Sequence, residues 1–141
     1  MVFVNGGSSL RSINLMQKAM DATILRNQVI NDNIANATTP NYKRKDVTFH
    51  AELERAVNSE KNPMTPFKTS REKHIPVVRA RDYNEVKPKI ITEYNTYQNN
   101  NGNSVDIDKE MLEDAKNTLY FNALAQRTAS TFNKLKYLMR S

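Results

Sequence analysis

"NIANATTPNYKRKDVTF", residues 33–49, separates a long helical pattern from a polar middle segment. Ile34 and Ala37 close an apolar stripe. Pro40 has no amide proton and clashes with a continuing helix, so the helix must stop here. It also pushes Thr39 toward an extended conformation. Asn41 enters left-handed turn geometry more readily than most residues. The stretch therefore predicts a rigid helix stop. Asn33, Asn36 and Thr39 are placed to satisfy backbone groups at this joint. Tyr42 is expected to pack back across the helix end, leaving Lys43, Arg44 and Lys45 exposed.

Toward the N-terminus, residues 1–8 read as a flexible polar tail with a Gly-Gly pair, and Ser8 or Ser9 is the first good N-cap. A helix is then expected over 9–39. Leu10, Ile13, Met16, Met20, Thr23, Asn27, Ile30, Ile34 and Ala37 alternate at spacings of three and four, the a and d positions of a coiled-coil seam. Leu15, Ala19, Ala22, Leu25 and Val29 widen that face. Thirty residues of helix extend about 45 Å, longer than a small domain of its own can cover. Asn27 on the seam is either a satisfied edge residue or a polar position that sets register.

Residues 105–141 give a second helix. Asp106 and Asp108 stand where it starts, followed by Glu110, Glu113 and Asp114, while Lys134, Lys136 and Arg140 stand where it ends. That order suits the helix dipole. Met111, Ala115, Thr118, Asn122, Ala125, Ala129, Phe132 and Met139 follow a seven-residue period. Leu112, Leu119, Leu124, Leu135 and Leu138 broaden the face. The assembly seam expected from both helices runs through Ile13, Met16, Met20, Ile30, Ile34, Met111, Ala115, Leu119 and Phe132.

The middle, 40–104, is weakly cored. A short amphipathic helical turn is expected over 52–58. "IPVVRA" (75–80) and "PKIITEYNTY" (88–97) are β-like runs that suggest a small hairpin or loop insert. "QNNNGNS" (98–104) reads as a flexible link into the last helix. The class is mainly α, with two long terminal helices and a small irregular, β-containing middle.

Composition narrows the function. The 141 residues are 38% hydrophobic with no Trp and three Gly, and mean hydropathy is −0.72. This is thin material for a self-sufficient core, and it points to a subunit that completes its core against other chains. Cysteine is absent, which excludes disulfide and thiolate chemistry. No run approaches the roughly 20 apolar residues of a membrane span, and "MVFVNGGSSL" lacks the pattern of a cleaved secretory signal. His50 and His74 have no ligand-type neighbours, and neither a G-x-S-x-G nucleophile motif nor a Gly-rich phosphate loop occurs. The carboxylates at 106–114 read as helix-start acids. No catalytic residue, metal site, cofactor or small-molecule substrate is expected, and the chain is not read as an enzyme. Net charge is +6, and most of it falls in the middle, interleaved with acids. A basic coiled-coil protein acting on nucleic acid is the alternative reading, supported by Lys43-Arg44-Lys45 beside Tyr42 but lacking a recognised binding module.

The same residues carry a resemblance. Asn33, Ile34, Ala35, Asn36, Thr39, Pro40 and Tyr42 match the N-I-A-N-x-x-T-P-G-Y signature of the bacterial flagellar rod and hook proteins. Asn41 stands where Gly is commoner in that family. "NSVDIDKEMLEDAKNTLYFNALAQ" (103–126) resembles the family's closing helix, and "TSREKHIP" (69–76) resembles its middle segment. The resemblance implies an axial structural protein whose terminal helices pair as a coiled-coil-like hairpin. It also implies helical assembly with copies of itself and other rod subunits, against basal-body ring and export-gate components. Uncleaved passage through the flagellar type III export gate follows from it too. Phe49 and Leu53, in "FHAEL", resemble the Phe-x-x-x-aliphatic pattern read at that gate; the alternative is that both simply pack.

Overall fold

In the computed structural model, the residues described are 3–61, 82–94 and 103–140, with side chains excepted at 3–9, 60 and 61. In chain order the elements are helix α1 (Phe3–Ala35), strand β1 (Lys45–Thr48), helix α2 (His50–Lys61), strand β2 (Lys89–Thr92) and helix α3 (Ile107–Leu138). A short 3-10 turn, Tyr83–Glu85, precedes β2. The chain divides into two compact units, 1–47 with 89–141, and 48–88.

The first unit is built on α1 and α3, of 33 and 32 residues. Their cross-links establish the pairing. Asn33 meets Glu110, Asn27 meets Asp114, Arg26 meets Glu113, Asn117 meets the Thr23 carbonyl, and Met16 meets Thr128. As numbers fall along α1 they rise along α3, so the helices are antiparallel. The two-stranded sheet joins β1 to β2. The bond from Glu93 N–H to the Arg44 carbonyl (2.9 Å) sets the end of β2 beside the start of β1, which makes this pair antiparallel as well.

Three readings change. First, α1 begins at Phe3 rather than at Ser8 or Ser9. Two glycines cost only about 1 kcal/mol each in a helix interior, and extending an existing helix gains one hydrogen bond per residue. Second, β2 coincides with part of the expected "PKIITEYNTY" strand, but its partner is "KDVT" at 45–48, directly after the helix stop. That segment has only Val47 and Thr48 as β-formers and gave no strand signal; "IPVVRA" lies outside the described residues. Third, the register of α3 differs by one residue. On α1 the expected stripe does turn inward, with Met16, Thr23, Ile30 and Ala37 buried and Ile13, Met20 and Ile34 half-buried. On α3 the inward line is Glu110, Asp114, Asn117, Phe121, Leu124, Thr128 and Leu135. Met111, Leu119 and Phe132 are 61%, 71% and 53% exposed, and Ala115 is exposed too. One residue turns a helix by about 100°. The face that α3 turns to α1 thus lies beside the expected assembly seam, because the polar residues of α3 find partners on α1.

Asp106 caps α3, accepting from the Lys109 amide at 3.2 Å. In the second unit, α2 is longer than the expected turn and packs against the 3-10 turn. Phe49, Ala56 and Val86 are its buried residues among those described.

Candidate functional site

The joint quoted at the outset closes over a buried polar knot. α1 ends in a tight turn: the Asn36 amide bonds to the Asp32 and Asn33 carbonyls, and Thr39 to Asn36. Asn36 Nδ2 donates to the Asp32 carbonyl (2.8 Å), and Thr39 Oγ1 to Asn36 Oδ1 (3.3 Å). After the exposed Pro40, Asn41 stands at φ 60°. A side chain at a left-handed position costs roughly 1–2 kcal/mol in most residues and less in Asn or Gly, so Asn41 suits the bend. Ala35 is exposed at the last turn of α1.

Asn33 is fully buried and ties four groups together. Its Nδ2 donates to the Lys45 carbonyl (2.7 Å) and to Glu110 Oε2 (3.0 Å). Its Oδ1 accepts from the Lys45 amide (3.0 Å) and from the Tyr42 hydroxyl (3.4 Å). The amide side chain thus grips both polar atoms of the Lys45 backbone, holding the start of β1 against α1. Tyr42 does lie across the helix end, and Lys45 Nζ sits 5.9 Å over its ring.

Arg44 departs from the expected exposed turn: it is buried, and its neighbours Lys43 and Lys45 are half-buried. Its Nε donates to Glu110 Oε1 and its Nη1 to Glu93 (3.0 Å), with Asp46 at 3.5 Å. Glu110 is 0% exposed. Burial works against the charge on Arg44. The hydrogen bond to Glu110 and the charges of Glu110, Asp46 and Glu93 outweigh it, holding the guanidinium's pKa above its ordinary value. Burial, reinforced by Asp32 and Glu110, raises the Tyr42 phenol. Farther along, Glu113 bonds Lys116 (2.8 Å) and Arg26 (3.3 Å). The Lys116 bond chiefly lowers its pKa; burial opposes this, and the Lys116, Arg26 and Arg44 charges add to the lowering.

Asn103 completes the knot. Its Nδ2 reaches the carbonyls of Asn36 (3.0 Å), Ala37 (2.8 Å) and Thr39 (2.9 Å), in the turn that follows the end of α1. Its Oδ1 accepts from the Val105 amide (2.7 Å), and Ser104 Oγ accepts from the Arg44 amide (2.7 Å). Asn103 and Ser104, read as part of a flexible link, are thus buried.

The knot draws the signature residues Asn33, Asn36, Thr39, Asn41 and Tyr42 together with Arg44, Asn103, Ser104 and Glu110, to which sequence reading gave no part in the joint. Glu110 was masked by its acidic neighbours at a helix start. One signal was available: Asp106 already occupies the cap, so an acid four residues later lies on the inward line. Phe49 and Leu53 belong to the second unit, one turn apart, Phe49 buried and Leu53 half-buried. Asn27 donates across the helices to Asp114 at 2.6 Å. Among the described residues, no cluster of His, Cys, Asp or Glu is placed to hold a metal ion. The knot's polar groups engage one another, so it acts as a brace.

The brace, the paired terminal helices and the signature residues mark a structural protein of the flagellar axial type. No family model matches the chain. It is 35% identical over 131 residues to the flagellar basal body rod protein FlgB of Borreliella burgdorferi, spanning 92% of this chain and 96% of that protein. Its identity to the same-named protein of Bacillus subtilis is 32% over 130 residues (91% and 92%), and to that of Aquifex aeolicus 30% over 130 residues (92% and 94%). The chain belongs to the FlgB family of flagellar basal body rod proteins. No helix among the described residues is long and apolar enough to cross a membrane.

Proposed function

We propose that this chain is a subunit of the proximal rod, exported by the flagellar type III system without cleavage and assembled helically through its terminal helices. Its partners are then copies of itself, other rod subunits, and ring and export-gate components of the basal body. One observation carries the reading: a family member of low hydropathy leaves Met111, Leu119 and Phe132 more than half exposed along α3. Large apolar side chains left open on so polar a chain are the kind of surface an interface covers.

The experiment is Leu119→Asp with Phe132→Asp in the flagellated host. Both side chains are exposed, so the folded monomer survives. The variant should be exported while rods fail to form; motile cells with complete basal bodies would overturn the assembly reading. For export, Phe49→Ala with Leu53→Ala should block secretion at unchanged cellular level, and normal secretion would leave those residues a packing role alone.

A further inference from the structure

The outward faces of α1 and α3 carry matching charges. Along the back of α1 run Asn14, Gln17, Asp21, Ile24, Gln28 and Asp32, all exposed. Asp21 and Asp32 are the only charges on that line. On α3, Lys109, Lys116, Arg127 and Lys134 are all exposed. Their steps of seven and eleven residues return to the same direction within about 20°, so they form a cationic flank. Asp21 and Asp32 are eleven residues apart, as are Lys116 and Arg127, a rise of about 16 Å in both cases. Between the acids lies Ile24, 48% exposed; between the cations lie Tyr120, 43% exposed, and the exposed Ala123. Lys116 gives one of its three protons to Glu113 and retains two for another acceptor.

We propose that the back of α1 docks on the cationic flank of α3 in a second copy of this chain, with Asp21 against Arg127, Asp32 against Lys116, and Ile24 seated near Ala123. This deepens the rod reading and rests on it. Copies of equal polarity present α1 antiparallel to a neighbour's α3, as within one chain. The intermolecular pairs are displaced by about seven residues from the internal ones, an axial step of about 10 Å. The two surfaces differ, so the contact is heterologous; repeated with an axial step, it generates an open helix rather than a closed dimer. Charges flanking an apolar contact fix partner and register, as in coiled coils.

The test is disulfide trapping in isolated basal bodies carrying Ile24→Cys with Ala123→Cys, in a chain that has no other cysteine. Oxidation should give a ladder of dimers, trimers and higher multimers. Dimers alone, adducts to a different protein, or no adduct with the chain present would overturn the inference and leave the rod reading standing. Absence of the cysteine-free chain from basal bodies would overturn both. In the same background, Asp21→Lys with Asp32→Lys should reduce the ladder about tenfold, as like charges meet. Adding Lys116→Glu with Arg127→Glu should restore it, and a ladder left unrestored would also overturn the pairing.

Discussion

Arg44→Met tests whether the knot holds the two long helices together. Glu110 is 0% exposed and accepts from Arg44 and from Asn33. Removing the guanidinium leaves a buried carboxylate facing a single amide donor. Breaking a buried pair from one side costs about 3–5 kcal/mol, mostly from the stranded charge. The lost contact with the partly exposed Glu93 adds little. For a chain of this size, such a loss lowers Tm by roughly 10–20 °C. Urea unfolding followed by circular dichroism gives the value directly. The companion is Arg44→Met with Glu110→Leu, which removes both charges and strands only one N–H of the Asn33 amide. It should recover at least about half of the single variant's loss, since an apolar replacement for a buried pair is often close to neutral. An Arg44→Met cost below about 1 kcal/mol would refute the reasoning. So would strict additivity of the two single variants, because residues sharing one network must couple.

Three other outcomes follow from the joint and the helix pairing beside it. Asn103→Ala removes the donor to three carbonyls and the acceptor for Val105; urea unfolding should show a loss of about 2–4 kcal/mol, the cost of leaving more than one such group unpaired. Asn41→Val should cost about 1–2 kcal/mol at its positive φ while Asn41→Gly stays near neutral, measured by thermal melts. Glu113 titrates lower folded than unfolded, so its contribution is present above the ordinary carboxylate range and is lost as pH falls through the folded value. Glu113→Gln should therefore flatten the acid limb of a stability-against-pH curve and leave its alkaline limb unchanged.

The legible parts of the sequence were those written in periodicity and in backbone restriction. A stripe at three-and-four spacing identified the inward face of α1. Pro40 and Asn41 identified the stop and its left-handed bend from the stereochemistry of two residues. The knot was illegible because its members lie far apart in the chain. Nothing local distinguishes Arg44 from Lys43, or Asn103 from the asparagines before it. Their roles arise only when β1, β2 and the start of α3 meet the end of α1. The face that α3 turns to α1 was illegible for a related reason. Glu110, Asp114 and Asn117 are polar, and reading them inward requires knowing that Asn33, Asn27 and Thr23 stand opposite.

That inversion has a physical use. Apolar contacts specify register weakly, because a helix slipped by one heptad buries a similar area. Hydrogen bonds of fixed length do not tolerate the slip. Asn33 with Glu110, Asn27 with Asp114 and Asn117 with the Thr23 carbonyl each lose their partner when α3 slides by one turn, and a stranded polar group costs more than a made bond contributes. The chain thus sets its own helix pairing largely with polar side chains near the joint. Met111, Leu119 and Phe132 are left outside, where, on the function proposed here, neighbouring subunits cover them. A more apolar inner line would stabilise the monomer, yet it would weaken the distinction between the face that pairs within the chain and the face that pairs between chains.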